Sequence, residues 1–388
     1  MYWKRDESFP FKWSILFVSF FAFVSYAFSF QAIPPLIPSI MEEFNISYAE
    51  AALMMSVVLV PGIFLSLPGG MFVRRHGVRL VGAISLIIVT LSSIVTATAG
   101  SFIMALIGRL ILGFGGTLIN TITPAIIAQW FTKKEMGSAM GIFGINMPFT
   151  VIISFPSATV LMLMYGWRFP FYISSAMGII STAVFVASVR EKPLAEKKSD
   201  MSMRQTLGNF EIWKIGLVWL FFSAAMSFVT WAPTLFEKFL GMTKVYASFL
   251  ASLVMWASIF CVPLYGYISD KIGKRKLFAV AGSFLMTLMF ILLAFTSNVI
   301  LVPSIMLLGA VGAMIPPMVF TLSAEISGPN MASVGFGVTA TGFNIGAALA
   351  QPIIGFILDI TASYIFCLLG LASFAAVGTI VACVLKTG

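Results

Sequence analysis

Long apolar runs alternate with short polar breaks along the whole of this chain, and the charges collect at the breaks. Read between charged or Pro/Gly-marked positions, the runs fall at 13–36, 48–73, 78–98, 101–130, 138–165, 169–189, 212–236, 245–269, 277–297, 299–324, 332–357 and 362–385. About 20 apolar residues in a helix cross the hydrocarbon core of a bilayer. The pattern therefore predicts an all-α membrane protein with twelve transmembrane helices. Several runs exceed a straight span and predict tilted or bent helices. The first run is too long for a signal peptide, and no small-residue cleavage site precedes a polar mature domain.

Composition agrees: 60% of the 388 residues are hydrophobic and 10% are charged, too little polar character to cover a soluble domain. The net charge of +9 would suit nucleic acid, but its distribution points elsewhere. With the N-terminus cytoplasmic, all but four of the 23 Lys and Arg residues fall on the cytoplasmic side. Arg168, Lys238 and Lys244 fall outside, and Arg109 falls within the membrane. That bias predicts both termini on the cytoplasmic side, the expected location is the plasma membrane, and no nucleic-acid partner is expected. Cys261, Cys367 and Cys383 lie in apolar runs without metal spacing. His76 is the one histidine, in a basic loop. Neither a metal nor another cofactor is expected, and catalytic chemistry has almost no groups to work with.

The chain is written twice. "GGMFVRRHGVRLV" (69–81) aligns with "YGYISDKIGKRKL" (265–277), pairing Gly70 with Gly266, Arg75 with Lys271, Gly77 with Gly273 and Arg79 with Arg275, each 196 positions apart. The same offset carries Gly113 to Gly309, Gly116 to Gly312, Gln129 to Glu325 and Gly141 to Gly337. One register held over this length predicts two copies of a six-helix unit. The expected bundles are residues 1–190 and 210–388, joined by a polar cytoplasmic linker at 191–209.

The segment Gly266-Tyr-Ile-Ser-Asp270-Lys271-Ile-Gly273-Lys274-Arg275-Lys276 resembles the signature loop between helices 2 and 3 of the major facilitator superfamily. "Arg109-x-x-x-Gly113-x-Gly115-Gly116" resembles its helix-4 motif, and "Gln129-Trp-Phe…Glu135-x-Gly137-x-Ala139-x-Gly141" and "Gly166-Trp167-Arg168" are further common elements. The resemblance implies two pseudo-symmetric bundles around a central path that opens alternately to either side. It also implies that the signature loops latch the cytoplasmic side, an acid facing the positive N-terminus of a helix in the other bundle. Asp270 matches that acid, whereas Arg74 stands at its place in the first half, where it weakens a latch or reflects drift in a basic loop. By analogy Glu135 and Glu325 partner Arg79 and Arg275. The expected gating set is thus Gly70, Arg74, Arg75, Gly77, Arg79, Glu135, Gly266, Asp270, Lys271, Gly273, Arg275 and Glu325.

Arg109 stands deep in an apolar run with no acid within twenty positions. A charge at mid-helix costs about 2.5–3.5 kcal/mol on translocon scales and is tolerated beside a watery cavity. Arg109, Gly113, Gly116, Thr117, Asn120 and Pro124 share a wedge of about 100°, so the arginine is expected to look along a roomy polar face. Other helices carry comparable positions: Tyr26, Asn146, Ser227, Thr230, Trp231, Asn344 and Gln351. Stripes of small and hydroxyl residues also pack membrane helices together. No Asp or Glu sits at mid-membrane depth. One embedded cation among amides and hydroxyls predicts a small anionic substrate, organic in kind by analogy, held by Arg109. Residue usage around "IPPLIPSI" and "QWF" resembles organic-anion, nitrate and cyanate permeases, although the nitrate branch's arginines on helices 2 and 8 have no counterpart. Export of hydrophobic or amphiphilic compounds is the alternative, and a non-transporting sensor a remoter one. Exchange, uniport and proton symport remain open, and a monomer is expected.

Overall fold

The computed structural model describes residues 9–66, 68–132, 135–190, 207–296, 298–327 and 332–386. Most of the expected linker lies outside them, as do the surroundings of Gly70 and the side chain of Arg74. Among the described residues, twelve helices are long and apolar enough to cross a membrane. They are α1 (Phe11–Phe44), α2 (Tyr48–Leu65), α3 (Val78–Ala97), α4 (Phe102–Trp130), α5 (Met136–Tyr165), α6 (Phe169–Ser188), α7 (Phe210–Lys238), α8 (Lys244–Ile272), α9 (Arg275–Ala294), α10 (Ile300–Ser327), α11 (Val334–Thr361) and α12 (Tyr364–Val384).

Two differences from the apolar pattern have a clear cause. Span α1 runs on past 36 because Pro34 and Pro35 sit in the first turn of a new helical segment, Ile33–Phe44, where no intrahelical N–H is required. The run at 48–73 is divided: α2 stops at Leu65, and a separate short helix, Pro68–His76, carries the basic loop. Proline also accounts for the breaks inside α5 and α10. Those helices are interrupted at Ile145 and at Ala313–Met314, just before Pro148 and before Pro316 and Pro317.

In the first bundle α3 packs on α4 and α6, all three pack on α1, and α2 packs on α4; in the second, α7 packs on α11 and α12, α8 on α10, and α9 on α12. The repeat holds down to single atoms. A Cβ on Gly113 of α4 would overlap the Val58 carbonyl of α2, and one on Gly309 of α10 would overlap the Val254 carbonyl of α8. Both residues of the second pair are 196 positions on from the first. Helix backbones approach this closely only where a side chain is absent.

Between the bundles the packing is uneven. The α1 segment Ile33–Phe44 meets the α7 segment Phe228–Lys238, the α5 segment Asn146–Tyr165 meets α8, and α2 meets α11. The first two pairs lie toward the face opposite the chain termini, whereas α2 and α11 touch from Tyr48 and Asp359 at that face to Ser66 and Asn344 nearer the other. The halves nearer the termini, Phe9–Gln31 of α1 and Phe210–Ala225 of α7, pack chiefly within their own bundles.

Candidate functional site

Arg109 is where the sequence expectation needs correction. Its side chain is fully buried, 0% exposed, with no open cavity beside it. Nε donates to the Met54 carbonyl at 2.9 Å, Nη1 to the Ser29 carbonyl at 2.7 Å and Nη2 to the Phe30 carbonyl at 3.1 Å. The guanidinium also lies 5.8 Å from the centroid of the Phe30 ring. The reason starts in the sequence: Pro34 has no N–H to offer Phe30, so the break in α1 leaves a carbonyl with no helical donor inside the membrane. Arg109 supplies it. Backbone oxygens of α1 and α2 take the place of a carboxylate, and the arginine pins three helices together.

Two and three turns further along α4 the polar stripe meets first the Tyr26 ring and then open space. The Tyr26 ring lies on Gly116, where a Cβ would overlap it. Asn120 is exposed although it stands well inside α4, next to Tyr26, and its Nδ2 donates to the Gly116 carbonyl at 3.0 Å. On the other bundle, Gln351 Nε2 donates to Thr230 Oγ1 at 3.0 Å, joining α11 to α7. Gln351 Oε1, Trp231 Nε1 and Thr234 Oγ1 are buried there without a hydrogen-bond partner. Ser227 is buried at the break in α7 and Asn146 at the break in α5. Asn344 bridges the bundles instead: its Nδ2 donates to the Ala340 carbonyl at 2.9 Å and reaches Ser66 Oγ at 3.4 Å, against Gly62.

At the face opposite the termini, polar contacts cross between bundles. Asp359, near the end of α11, accepts from the backbone N–H groups of Tyr48 at 2.8 Å and Ala49 at 2.9 Å, the first turn of α2. The same turn carries a capping box between Ser47 and Glu50. Thr159 and Ser248 hydroxyls meet at 2.7 Å between α5 and α8, and the Tyr48 and Trp231 rings lie 6.1 Å apart. The sequence reading missed Asp359, Tyr48, Thr159 and Ser248. The visible signal was an acid at the end of one helix facing a capping box at the start of another.

At the termini-bearing face the ion pairs among the described residues form within one bundle or the other. Arg275 bonds Asp270 at 2.9 Å and also Glu325, as the second-half analogy expected. Asp270 is 66% exposed, and among the described residues its ion pair and hydrogen bond are with Arg275. Lys271 and Gly273 end α8, Gly266 lies one turn inside it, and Arg75 and Gly77 lead into α3. The first-half analogy needs correction. Glu135 takes Lys12 Nζ at 2.7 Å and Thr132 Oγ1 at 2.9 Å, while Arg79 donates to the Val186 carbonyl at 2.8 Å. The Lys12 and Thr132 hydrogen bonds hold the Glu135 carboxyl down at about 2, from an ordinary 4.5. A carboxylate with a depressed value stabilises the fold above its ordinary pKa and loses that contribution as pH falls toward 2. Wild type is therefore expected to melt higher than Lys12→Ala near neutral pH, with the gap closing between about pH 4.5 and 2. A gap that stays constant with pH would assign the effect of Lys12 to packing.

Two bundles related by a repeat, with polar residues between them and contacts at one face, define an architecture that a family comparison can test. The model of the Major Facilitator Superfamily matches residues 19–249 and 237–387. The chain belongs to the Major Facilitator Superfamily. Among members of the superfamily it is 25% identical over 252 residues to the probable nitrate/nitrite antiporter NarK1 of Thermus thermophilus, covering 61% of this chain and 57% of that one. It is 22% identical over 337 residues to the probable nitrate transporter NarT of Staphylococcus epidermidis, covering 77% and 86%. The hexuronate transporter of Escherichia coli K12 is 24% identical over 264 residues, covering 60% and 61%. In fold the chain is similar to a bacterial homolog of the human lysosomal transporter Spinster, crystallised inward-facing and occupied, with a TM-score of 0.81 at 15% identity, covering 97% and 96%.

Proposed function

We propose that this protein is a secondary transporter, not an enzyme, that carries a small organic anion across the plasma membrane by alternating access, with both termini cytoplasmic. One observation carries the reading: α1–α7, α5–α8 and the Asp359 bonds join the bundles at the face opposite the termini, while among the described residues the ion pairs at the termini-bearing face form within each bundle and α2–α11 alone continues toward it. The path between them is then open toward the termini, the inward side.

The other state follows from helix register. Thr159 and Ser248 set an antiparallel alignment of α5 and α8. Continued toward the termini, it brings Gly141 opposite Gly266, and Gly137 at the first turn of α5 opposite Asp270. A Cβ on Gly137, Gly141 or Gly144 would meet nothing within 4 Å here, so that face of α5 is uncovered and smooth. The N-cap of α5, Glu135, makes no side-chain cap bond. Rocking residues 1–190 against 210–388 would close this seam, placing Asp270 at the positive end of α5.

For the substrate, Tyr26, Asn120 and Asn146 offer hydrogen bonds from the first bundle, and Ser227, Thr230, Trp231 and Gln351 from the second. Arg109 contributes its charge from behind Tyr26 and holds α1 in place. Its field favours an anion, and no acid at mid-membrane depth opposes it. The names of the relatives, for nitrate, nitrite and hexuronate, support the same sign of charge and not the export of hydrophobic compounds. Protons are a candidate coupling ion, and the chain acts as a monomer in this proposal.

The test is uptake into proteoliposomes of a labelled panel: nitrate, a hexuronate, smaller monocarboxylates, neutral sugars and lipophilic cations. Saturable uptake of one anion, competed by other anions, is expected. Movement of lipophilic cations without any anion flux would overturn the proposal.

A further inference from the structure

A cavity of about 690 Å³ opens at the termini-bearing ends of α9, α10 and α12, lined by residues of the second bundle alone. Its walls are Leu277, Val280 and Leu322, with Cys383 at one side, and Gly273, Lys274, Arg275, Lys276 and Glu325 complete the lining. The charges are not matched. Arg275 is satisfied by Asp270 and Glu325. Lys274 and Lys276 have no carboxylate within ion-pair distance among the described residues. Arg275 Nε is buried with no acceptor. The lining therefore presents two unmatched cations beside apolar walls.

The position of the cavity indicates which kind of anion fits. Leu277 and Val384 beside it are each 57% exposed, at the level where α9 begins and α12 ends. Apolar side chains exposed at the end of a membrane helix face lipid, and lysines at that level reach the headgroup region. The cavity is also far roomier than a bare phosphate requires. We propose that it is a binding site for the phosphate headgroup of an anionic glycerophospholipid, with Lys274 and Lys276 on the phosphate and the glycerol end of the acyl chains against Leu277, Val280 and Leu322. The site would tether the second bundle to the membrane surface beside the Asp270–Arg275–Glu325 cluster.

The experiment is native mass spectrometry of the full chain released from detergent, titrated in parallel with phosphatidylglycerol, phosphatidylcholine and inorganic phosphate. One phosphatidylglycerol is expected to be retained in preference to phosphatidylcholine, with no comparable retention of inorganic phosphate. Replacing both lysines (K274Q with K276Q) should weaken retention by about fivefold per lysine. Lys238→Gln, at the opposite face, should leave it unchanged. Equal retention of the two lipids would overturn the proposal, as would inorganic phosphate binding as well as the lipid. So would loss of binding in Lys238→Gln equal to that in the double variant. Melting temperatures of the variants measured without lipid check that the lysine changes leave the fold intact.

Discussion

Arg109→Ala is expected to unsettle the fold before it touches any ligand. The guanidinium is the donor for the Ser29, Phe30 and Met54 carbonyls. A buried acceptor left without a partner costs about 1–3 kcal/mol. Phe30 cannot recover a helical donor, because Pro34 has none to give. Set against this, the variant no longer has to desolvate a guanidinium, which costs several kcal/mol in a protein interior. The three carbonyls and the emptied space outweigh that gain, and a melting temperature lower by roughly 10 °C is expected. Arg109→Lys should fall between, since one ammonium cannot reproduce the planar fork that spans α1 and α2. Differential scanning fluorimetry in detergent reads all three proteins. If Arg109→Ala melts like wild type yet loses stabilisation by anions, the arginine is a direct anchor, as its helical face first suggested.

The second large effect is expected at Asp359. Its carboxylate accepts from Tyr48 and Ala49 at the N-terminus of α2, so two charge-assisted hydrogen bonds and a favourable helix end hold the opposite face shut. Asp359→Asn keeps the shape and one acceptor but removes the charge. A loss of about 1–2 kcal/mol shifts the balance roughly five- to thirtyfold toward the state open at that face. Thr159 is buried at the α5–α8 contact and serves as the reporter. In a chain whose native cysteines are replaced by serine, Thr159→Cys should react correspondingly faster with a maleimide once Asp359→Asn is added. An unchanged rate would make Asp359 a helix cap with no part in gating.

How much of this was legible beforehand differs from element to element. The twelve spans were readable because hydrocarbon tolerates only helices with their backbone bonds satisfied internally, which forces long apolar runs. The repeat was readable because close helix contacts demand glycine, and Gly113 and Gly309 proved to meet equivalent carbonyls. The surroundings of Arg109 were not. A helical wheel gives the direction of a side chain but not what fills the space there, and the neighbours came from α1 and α2. The clue was nonetheless present in "IPPLIPSI": two prolines strip donors from the preceding turn, and a cation with no acid nearby can bond those carbonyls. Asn344 looked like a path residue and became a bridge for a related reason, since Gly62 on α2 lets α11 come close. Asp359 went unmarked because an acid at a helix end is ordinary until the opposing helix is known.

The most direct test of the transport account locks the contact at the opposite face. Thr159 and Ser248 hydroxyls meet at 2.7 Å across the two bundles, so Thr159→Cys with Ser248→Cys, in the chain freed of its native cysteines, places a disulfide there. The measurement is counterflow of a labelled anion from the uptake panel into proteoliposomes, before and after oxidation. Alternating access predicts anion counterflow in the reduced protein, none in the oxidised protein, and recovery on adding a reductant. Anion flux that continues through the confirmed disulfide would contradict the account, since the path would then not need that face to open.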